Sequence, residues 1–197
     1  MNLRRTLIGF SLLLLLAACA APPLVSVPEE LETAGALSRS GRFSVRVEEV
    51  AGETEAVQGG FAWYDSGTQV LLDLNTPIGT ALARVEVAAD GTAVLSEANG
   101  QRTQAASADE LVERVLGSPI PVQELRYWLR GLLPARPRSS GLQQDDAGRP
   151  VRFIQSGWSV RIDDYDKVGP LRMQLHRIEP GVRTIEVRLV MTPAPAP

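Results

Sequence analysis

The chain of 197 residues has one cysteine, one histidine and, against many arginines, a single lysine, Lys167. These shortages exclude whole classes of chemistry. A Cys/His zinc centre takes about four ligands, and a Ser-His-Asp triad commits a histidine to a nucleophile and an acid. A disulfide needs two cysteines. The lone His176 falls in an alternating stretch, on the face opposite Leu175, with no obvious catalytic partner. Aromatics make up 5%, and the formal charge of −3 argues against a general nucleic-acid binder. There is no Gly-Lys-Ser/Thr phosphate loop. Paired acids Asp163, Asp164 and Asp166 lack the EF-hand spacing and read as a solvated turn, as do Asp145 and Asp146. What remains is a non-enzymatic domain with no cofactor, long enough for a single core.

The N-terminus carries a targeting signal. Arg4 and Arg5 precede a mostly apolar run, Leu7 to Leu16, and then small residues. The run is too short to span a bilayer, which takes ~20 apolar residues. Leu16-Ala17-Ala18-Cys19 has the form of a bacterial lipobox, so residues 1–18 read as a signal peptide and Cys19 as the acylated first residue of the mature chain. Cleavage removes two arginines and no acid, taking the formal charge from −3 to −5. Two or three acyl chains give stable anchoring where one is marginal. Ala20 in place of an aspartate points, by analogy, to the outer rather than the inner membrane. Residues 19–28, with Pro22, Pro23 and Pro28, read as a linker, and 192–197 as a Pro-rich disordered tail. Pro28 followed by Glu29 and Glu30 suggests a short helix over 29–39, opening a domain that runs to 191.

Between these ends the pattern has period two. Phe43, Val45 and Val47 share one face; Phe61 and Trp63, then Leu72 and Leu74, then Ala83 and Val85 repeat the alternation. So do Trp158, Val160 and Ile162, Leu171, Met173 and Leu175, and Ile185 to Met191. Asp/Gly/Ser turns separate them, which predicts an antiparallel meander buried on one face. The middle changes period. Ser107 and Glu110 form a capping box, with Leu111, Val115 and Leu116 at helical spacing before Gly117. Pro121 opens a second helix, with Leu125, Trp128, Leu129 and Leu132 in one stripe. A helical pair is therefore inserted between two halves of a sheet, placed to cover its apolar concave side.

Two features stand apart. Ile78 sits between Pro77 and Gly79 in a turn, where a polar residue would be ordinary. It either folds back onto the core or presents an apolar tip to a membrane. Arg126 and Arg130 share a helix face, available to lipid headgroups, to acids on a partner, or simply to water.

Gly60-Phe61-Ala62-Trp63, Asn75-Thr76-Pro77-Ile78-Gly79, and Gly117-Ser118-Pro119-Ile120-Pro121 with Leu125-Arg126-Tyr127-Trp128-Leu129-Arg130-Gly131 resemble, in order and spacing, the LolB family of outer-membrane lipoprotein receptors. Trp158 with Asp164-Tyr165 is a weaker match. The resemblance covers about Gly41 to Met191. It implies a mainly β fold with α: an unclosed, strongly curved antiparallel half-barrel covered by a helical lid, with an apolar cavity inside. It implies a monomer anchored on the periplasmic face of the outer membrane, taking lipoprotein cargo from the carrier LolA and passing it to outer-membrane lipids. Pro77, Ile78 and Gly79 would form the membrane-insertion loop, with Ile78 where the family usually has Leu. Trp63, Leu72, Leu74, Trp128, Leu129, Trp158 and Val160 are the candidate cavity residues, with ordinary core packing as the alternative for each. A structural lipoprotein that binds a protein partner is the rival from another class. A half-barrel sensor of lipoproteins or fatty acids is a third, for which the chain leaves no room for a second domain.

Overall fold

The computed structural model describes residues 35–194. The signal peptide, Cys19, the linker, residues 29–34 and the last three residues lie outside them.

Eleven strands form one antiparallel sheet: β1 (Leu37–Glu49), β2 (Thr54–Asp65), β3 (Val70–Asn75), β4 (Ala81–Val87), β5 (Ala93–Glu97), β6 (Arg102–Ala105), β7 (Ser140–Gln144), β8 (Pro150–Gln155), β9 (Trp158–Tyr165), β10 (Pro170–Glu179) and β11 (Arg183–Met191). Their order is β6-β5-β4-β3-β2-β1-β11-β10-β9-β8-β7. Each half is a hairpin meander, and the halves join at the centre, where β1 pairs with β11 from Gly41↔Met191 to Glu49↔Arg183. The first and last strands are thus neighbours, while β6 and β7 are free edges and the sheet does not close.

Alternation explains the long strands. Along β1, Phe43, Val45 and Val47 are buried and Arg42 and Arg46 exposed. The pattern starts earlier than a helix over 29–39 would allow: Leu37 and Arg39 are buried with Ser38 and Ser40 exposed, and Leu37 pairs with Asp65, so the described end of that segment is strand. Strands β5 to β8 carried the weakest sequence signal. β6 (Arg-Thr-Gln-Ala) and β7 (Ser-Gly-Leu-Gln-Gln) are edges, and the latter is exposed at every residue. With no buried face there is no alternation to read.

The helices α1 (Ala108–Leu116) and α2 (Val122–Trp128) link the two edges and pack into the same core as the sheet's inner face. Ser107 caps α1 by accepting from the Glu110 N–H at 3.4 Å, and Gly117 ends it at φ +71° with its N–H on Glu113 O. Pro121 is the N-cap of α2 rather than its first helical residue. The helix stops sooner than its apolar stripe suggests. Gly131 at φ +69° donates to Trp128 O at 2.9 Å and Leu132 N–H to Tyr127 O at 3.1 Å, a Schellman closure that leaves Leu132 55% exposed.

Candidate functional site: an apolar cavity under the helical pair

A cavity of about 40 Å³ lies between the centre of the sheet and the helices. Every side chain lining it is of an apolar type. β1 contributes Phe43 and Val45, β2 Phe61 and Trp63, β3 Leu72 and Leu74, and β11 Val187 and Leu189. The roof is Val112 and Leu116 of α1, Ile120 of the connection, Leu125 of α2 and Leu129 just beyond it. Two glycines make room for the floor. Phe43 stands opposite Gly59 and Phe61 opposite Gly41. A Cβ on Gly59 would collide with the Asn75 carbonyl oxygen and crowd the Phe43 ring, and one on Gly41 would collide with the Val190 carbonyl oxygen.

Of the sequence candidates, Trp63, Leu72, Leu74 and Leu129 line this space. Trp128, Trp158 and Val160 do not: each is at most 1% exposed and packed solidly in the half of the core under β8 to β10. Trp128 meets Phe153 edge-on with ring centroids 5.5 Å apart. Its Nε1 donates to Gln155 Oε1 at 2.8 Å, and Gln155 Nε2 donates to the carbonyls of Pro137 (2.7 Å) and Pro134 (3.1 Å). Trp128 therefore bolts α2 to the second half of the sheet. The residues missed as lining, Phe43, Phe61 and Val187 among them, were already legible as inward-facing. That they surround empty space follows only from the central β1–β11 pairing.

A polar latch holds α2 to the other half. The Asp65 side chain at the end of β2 is 1% exposed. It accepts from Arg126 Nε at 3.0 Å and Nη2 at 2.8 Å, from Arg130 Nη2 at 3.2 Å, and from the Gly67 N–H at 2.8 Å. Arg126 also donates to Gly67 O, and Arg130 to Gly35 O at 3.1 Å. Burial pushes the Asp65 carboxyl up. The hydrogen bonds from Arg126, Gly67 and Arg130 and the Arg126 charge outweigh it and hold the group below its usual value. Both guanidinia are thus engaged by a buried carboxylate, a partner that their spacing on one helix face did not reveal.

The helices are also tied to each other. Asp109 Oδ1 of α1 accepts from the Val122 and Gln123 N–H groups at 3.0 and 3.4 Å, capping the start of α2. Burial, with the Glu124 charge, raises its carboxyl to about 6 despite those bonds. Arg183 of β11 reaches Glu113 of α1 at 3.3 Å.

The hairpin between β3 and β4 carries Ile78 at its tip, 90% exposed. Its backbone is satisfied internally: Thr76 N–H donates to Thr80 O (2.8 Å), Gly79 N–H to Thr76 O (2.9 Å) and Thr80 N–H to Thr76 Oγ1 (3.1 Å), with Gly79 at φ +88°. The turn is built without using the Ile78 side chain, and Pro77 and Gly79 beside it are exposed too.

The acidic run near Asp166 differs from a plain solvated turn. Asp163 to Tyr165 belong to β9, and Asp166 accepts from Arg39 Nη1 at 2.8 Å and from the Val168, Gly169 and Ala194 N–H groups. Burial raises its carboxyl, but these bonds overcome that and hold it well below the usual carboxylate range. Among the described residues no cluster of three His, Cys, Asp or Glu could hold a metal, and no helix is long and apolar enough to cross a membrane.

The family model described as outer membrane lipoprotein LolB matches residues 36–193. The chain is 50% identical to the outer-membrane lipoprotein LolB of Bordetella pertussis over 95% of this chain and 94% of that one. It is 37% identical to the LolB of Cupriavidus pinatubonensis (93% and 91%) and 34% identical to that of Alkalilimnicola ehrlichii (92% and 94%). The backbone is also similar to a LolA superfamily protein from Nitrosomonas europaea, at a TM-score of 0.44 and 8% identity over 81% of this chain and 87% of that one, too loose a likeness to bear on function.

Proposed function

This chain belongs to the outer membrane lipoprotein LolB family, a lipoprotein-localisation family and not an enzyme family, and from that premise we propose that its apolar cavity receives the acyl chains of lipoprotein cargo. The cargo comes from the periplasmic carrier LolA and leaves into the outer membrane. The observation that carries this reading is the wholly apolar lining of a space between the sheet and the helical pair.

The energetics need no nucleotide. Each methylene left in water costs about 0.8 kcal/mol, so an acyl chain moves only along a continuous apolar path. Transfer runs downhill if this cavity holds the chain more tightly than the carrier and less tightly than the bilayer. A volume of 40 Å³ is far below the ligand-site range of about 300–1,000 Å³. On this reading the cavity must widen to take an acyl chain, and loading lifts α1 and α2 from the sheet. The polar ties at Asp65, Gln155 and Glu113 set how easily that happens.

Cys19, acylated after removal of residues 1–18, anchors the protein on the periplasmic face of the outer membrane, and Ile78 enters the same bilayer to discharge cargo. The geometry permits both. Gly60 pairs with both Arg42 and Asn75, so the Ile78 hairpin starts only five residues along the sheet from Leu37, about 17 Å. The residues between Cys19 and Leu37 reach up to about 60 Å when extended.

The test is reconstitution: carrier loaded with acylated lipoprotein is mixed with liposomes bearing this protein, and cargo in the liposome fraction is followed. Transfer above that to bare liposomes is expected. No transfer by a folded protein would defeat the reading and favour a purely structural lipoprotein.

A further inference from the structure

A groove of about 220 Å³ lies beside the Ile78 hairpin, lined by Arg42, Phe43, Gln58, Gly59, Gly60 and Pro77. Gly60 pairs with Arg42 on one side and with Asn75 on the other, so the three form one row on the outer face of the sheet. The middle place in that row is empty, between backbones about 10 Å apart. Nothing in the fold requires the gap. Gly60 has no positive φ, and a Cβ on it would meet Gly41 O at 3.7 Å and Asn75 Cβ at 3.9 Å, which are ordinary contacts. Gly59, by contrast, has no room for a Cβ. A mid-strand glycine weakens its strand and often marks a close approach by a ligand. Its effect here is to keep the groove open.

Arg42 stands at the edge of the groove, exposed and with its charge uncommitted. Arg39 and Arg46 on the same strand are paired with Asp166 and Glu48. Arg42 has no such partner among the described residues. The positions around it on that face, Ser40, Ser44, Gln58, Ala62, Arg188 and Val190, include no acid. In a chain of net negative charge this is a local cationic site. Pro77 also lines the groove, and Ile78 follows it, 90% exposed.

We propose that this groove binds the phosphate of a membrane phospholipid, the Arg42 guanidinium donating to the phosphodiester oxygens while Ile78 enters the acyl region. The inference rests on the reading of Ile78 as a membrane loop. The spacing fits. Ile78 lies three residues beyond Asn75, at most about 10 Å along the chain. An interfacial apolar face is buried about 5–10 Å into the boundary between headgroups and acyl chains. Arg42 therefore stands at phosphate level when Ile78 is buried. The planar fork of arginine matches paired phosphate oxygens, and the bare Gly60 backbone lets a headgroup come close. Because Phe43 lines both this groove and the apolar cavity, the docked headgroup sits beside the cavity wall.

The experiment uses the full lipid-anchored protein in vesicles of phosphatidylethanolamine and phosphatidylglycerol. The vesicles are doped with a phospholipid that carries a diazirine on its headgroup or, in a separate sample, within its acyl chain. After irradiation, mass spectrometry locates the adducts. Headgroup adducts are expected on residues 42–43 and 58–60, and acyl-chain adducts on residues 77–79. Arg42→Gln should cut the groove adducts about 5-fold relative to those elsewhere on the chain, the worth of one arginine at an anionic surface. Gly60→Val, which fills the groove and keeps the charge, should cut them at least as much. Arg102→Gln, which removes an exposed cation on the edge strand β6, should leave them unchanged. Loss of the adducts to millimolar inorganic phosphate at matched ionic strength would overturn the lipid assignment in favour of a free-phosphate site. Equal groove adducts in the parent, Arg42→Gln and Gly60→Val, or none while acyl-chain adducts persist on 77–79, would overturn the groove alone. Absence of both kinds of adduct would overturn the membrane reading of the hairpin with it.

Discussion

Replacing Asp65 by Asn changes one atom at a site 1% exposed to solvent. The amide keeps the shape and can still accept from the Gly67 N–H, but it loses the negative charge that Arg126 and Arg130 share. Removing one partner of a buried ion pair costs about 3–5 kcal/mol when the remaining charge is trapped. Here the arginine side chains keep 28% and 26% exposure and can turn partly to water, so the cost falls to about 2–3 kcal/mol. Urea unfolding followed by tryptophan fluorescence should show this loss. Arg126→Ala alone should cost about 1–2 kcal/mol, because Arg130 still serves the carboxylate, and the double variant should fall short of the sum. The loss should also be local first: amides of α2 should exchange faster in Asp65→Asn before global unfolding contributes, since the latch holds that helix to β2. The parent's Asp65 contribution is present above the unfolded value near 3.8 and disappears as pH falls below it, so Asp65→Asn should blunt the acid transition. A change in stability under about 0.5 kcal/mol with unaltered α2 exchange would refute the latch.

Asp109 behaves with the opposite sign. Its carboxyl is raised to about 6 in the fold, so the folded state holds a proton that the unfolded chain has released, and stability falls as pH rises from about 4 to 6. Asp109→Asn keeps the acceptor for Val122 and Gln123, and should flatten that slope and exceed the parent in melting temperature at pH 8. Ile78→Glu should leave unfolding within about 0.5 kcal/mol of the parent, because the side chain is 90% exposed. It should preserve cargo acceptance from the carrier and depress release into liposomes; normal release would remove the loop's membrane role. Gln155→Leu should cost about 2–3 kcal/mol, since it strands the buried Trp128 N–H and two carbonyls, and calorimetry would check it.

The outline of the fold was legible wherever a strand had one wet face and one dry face. β1, β9 and β11 show that contrast along most of their length, and Ser107, Gly117 and Gly131 mark the helix ends by their own chemistry. The edge strands β6 and β7 lack the contrast, so they stayed silent. The helix expected over 29–39 reached too far at its C-terminal end: a proline followed by acids suits a helix start, whereas cross-strand pairing with Asp65 decided Leu37 onward.

The chain by itself determined the type of each surface: which residues face inward, where the turns fall, and that no cysteine remains in the domain to do chemistry. Only the tertiary structure decided which inward residues enclose a void. Trp63 and Trp128 look alike in sequence, yet one borders empty space and the other is packed and hydrogen-bonded. A cavity is volume left unfilled where β1, β11 and the helices meet, and no local pattern encodes what is missing between surfaces far apart in the chain. The same holds for Arg126 and Arg130, four residues apart on a helix and indistinguishable from a solvated face until folding sets a buried carboxylate against them.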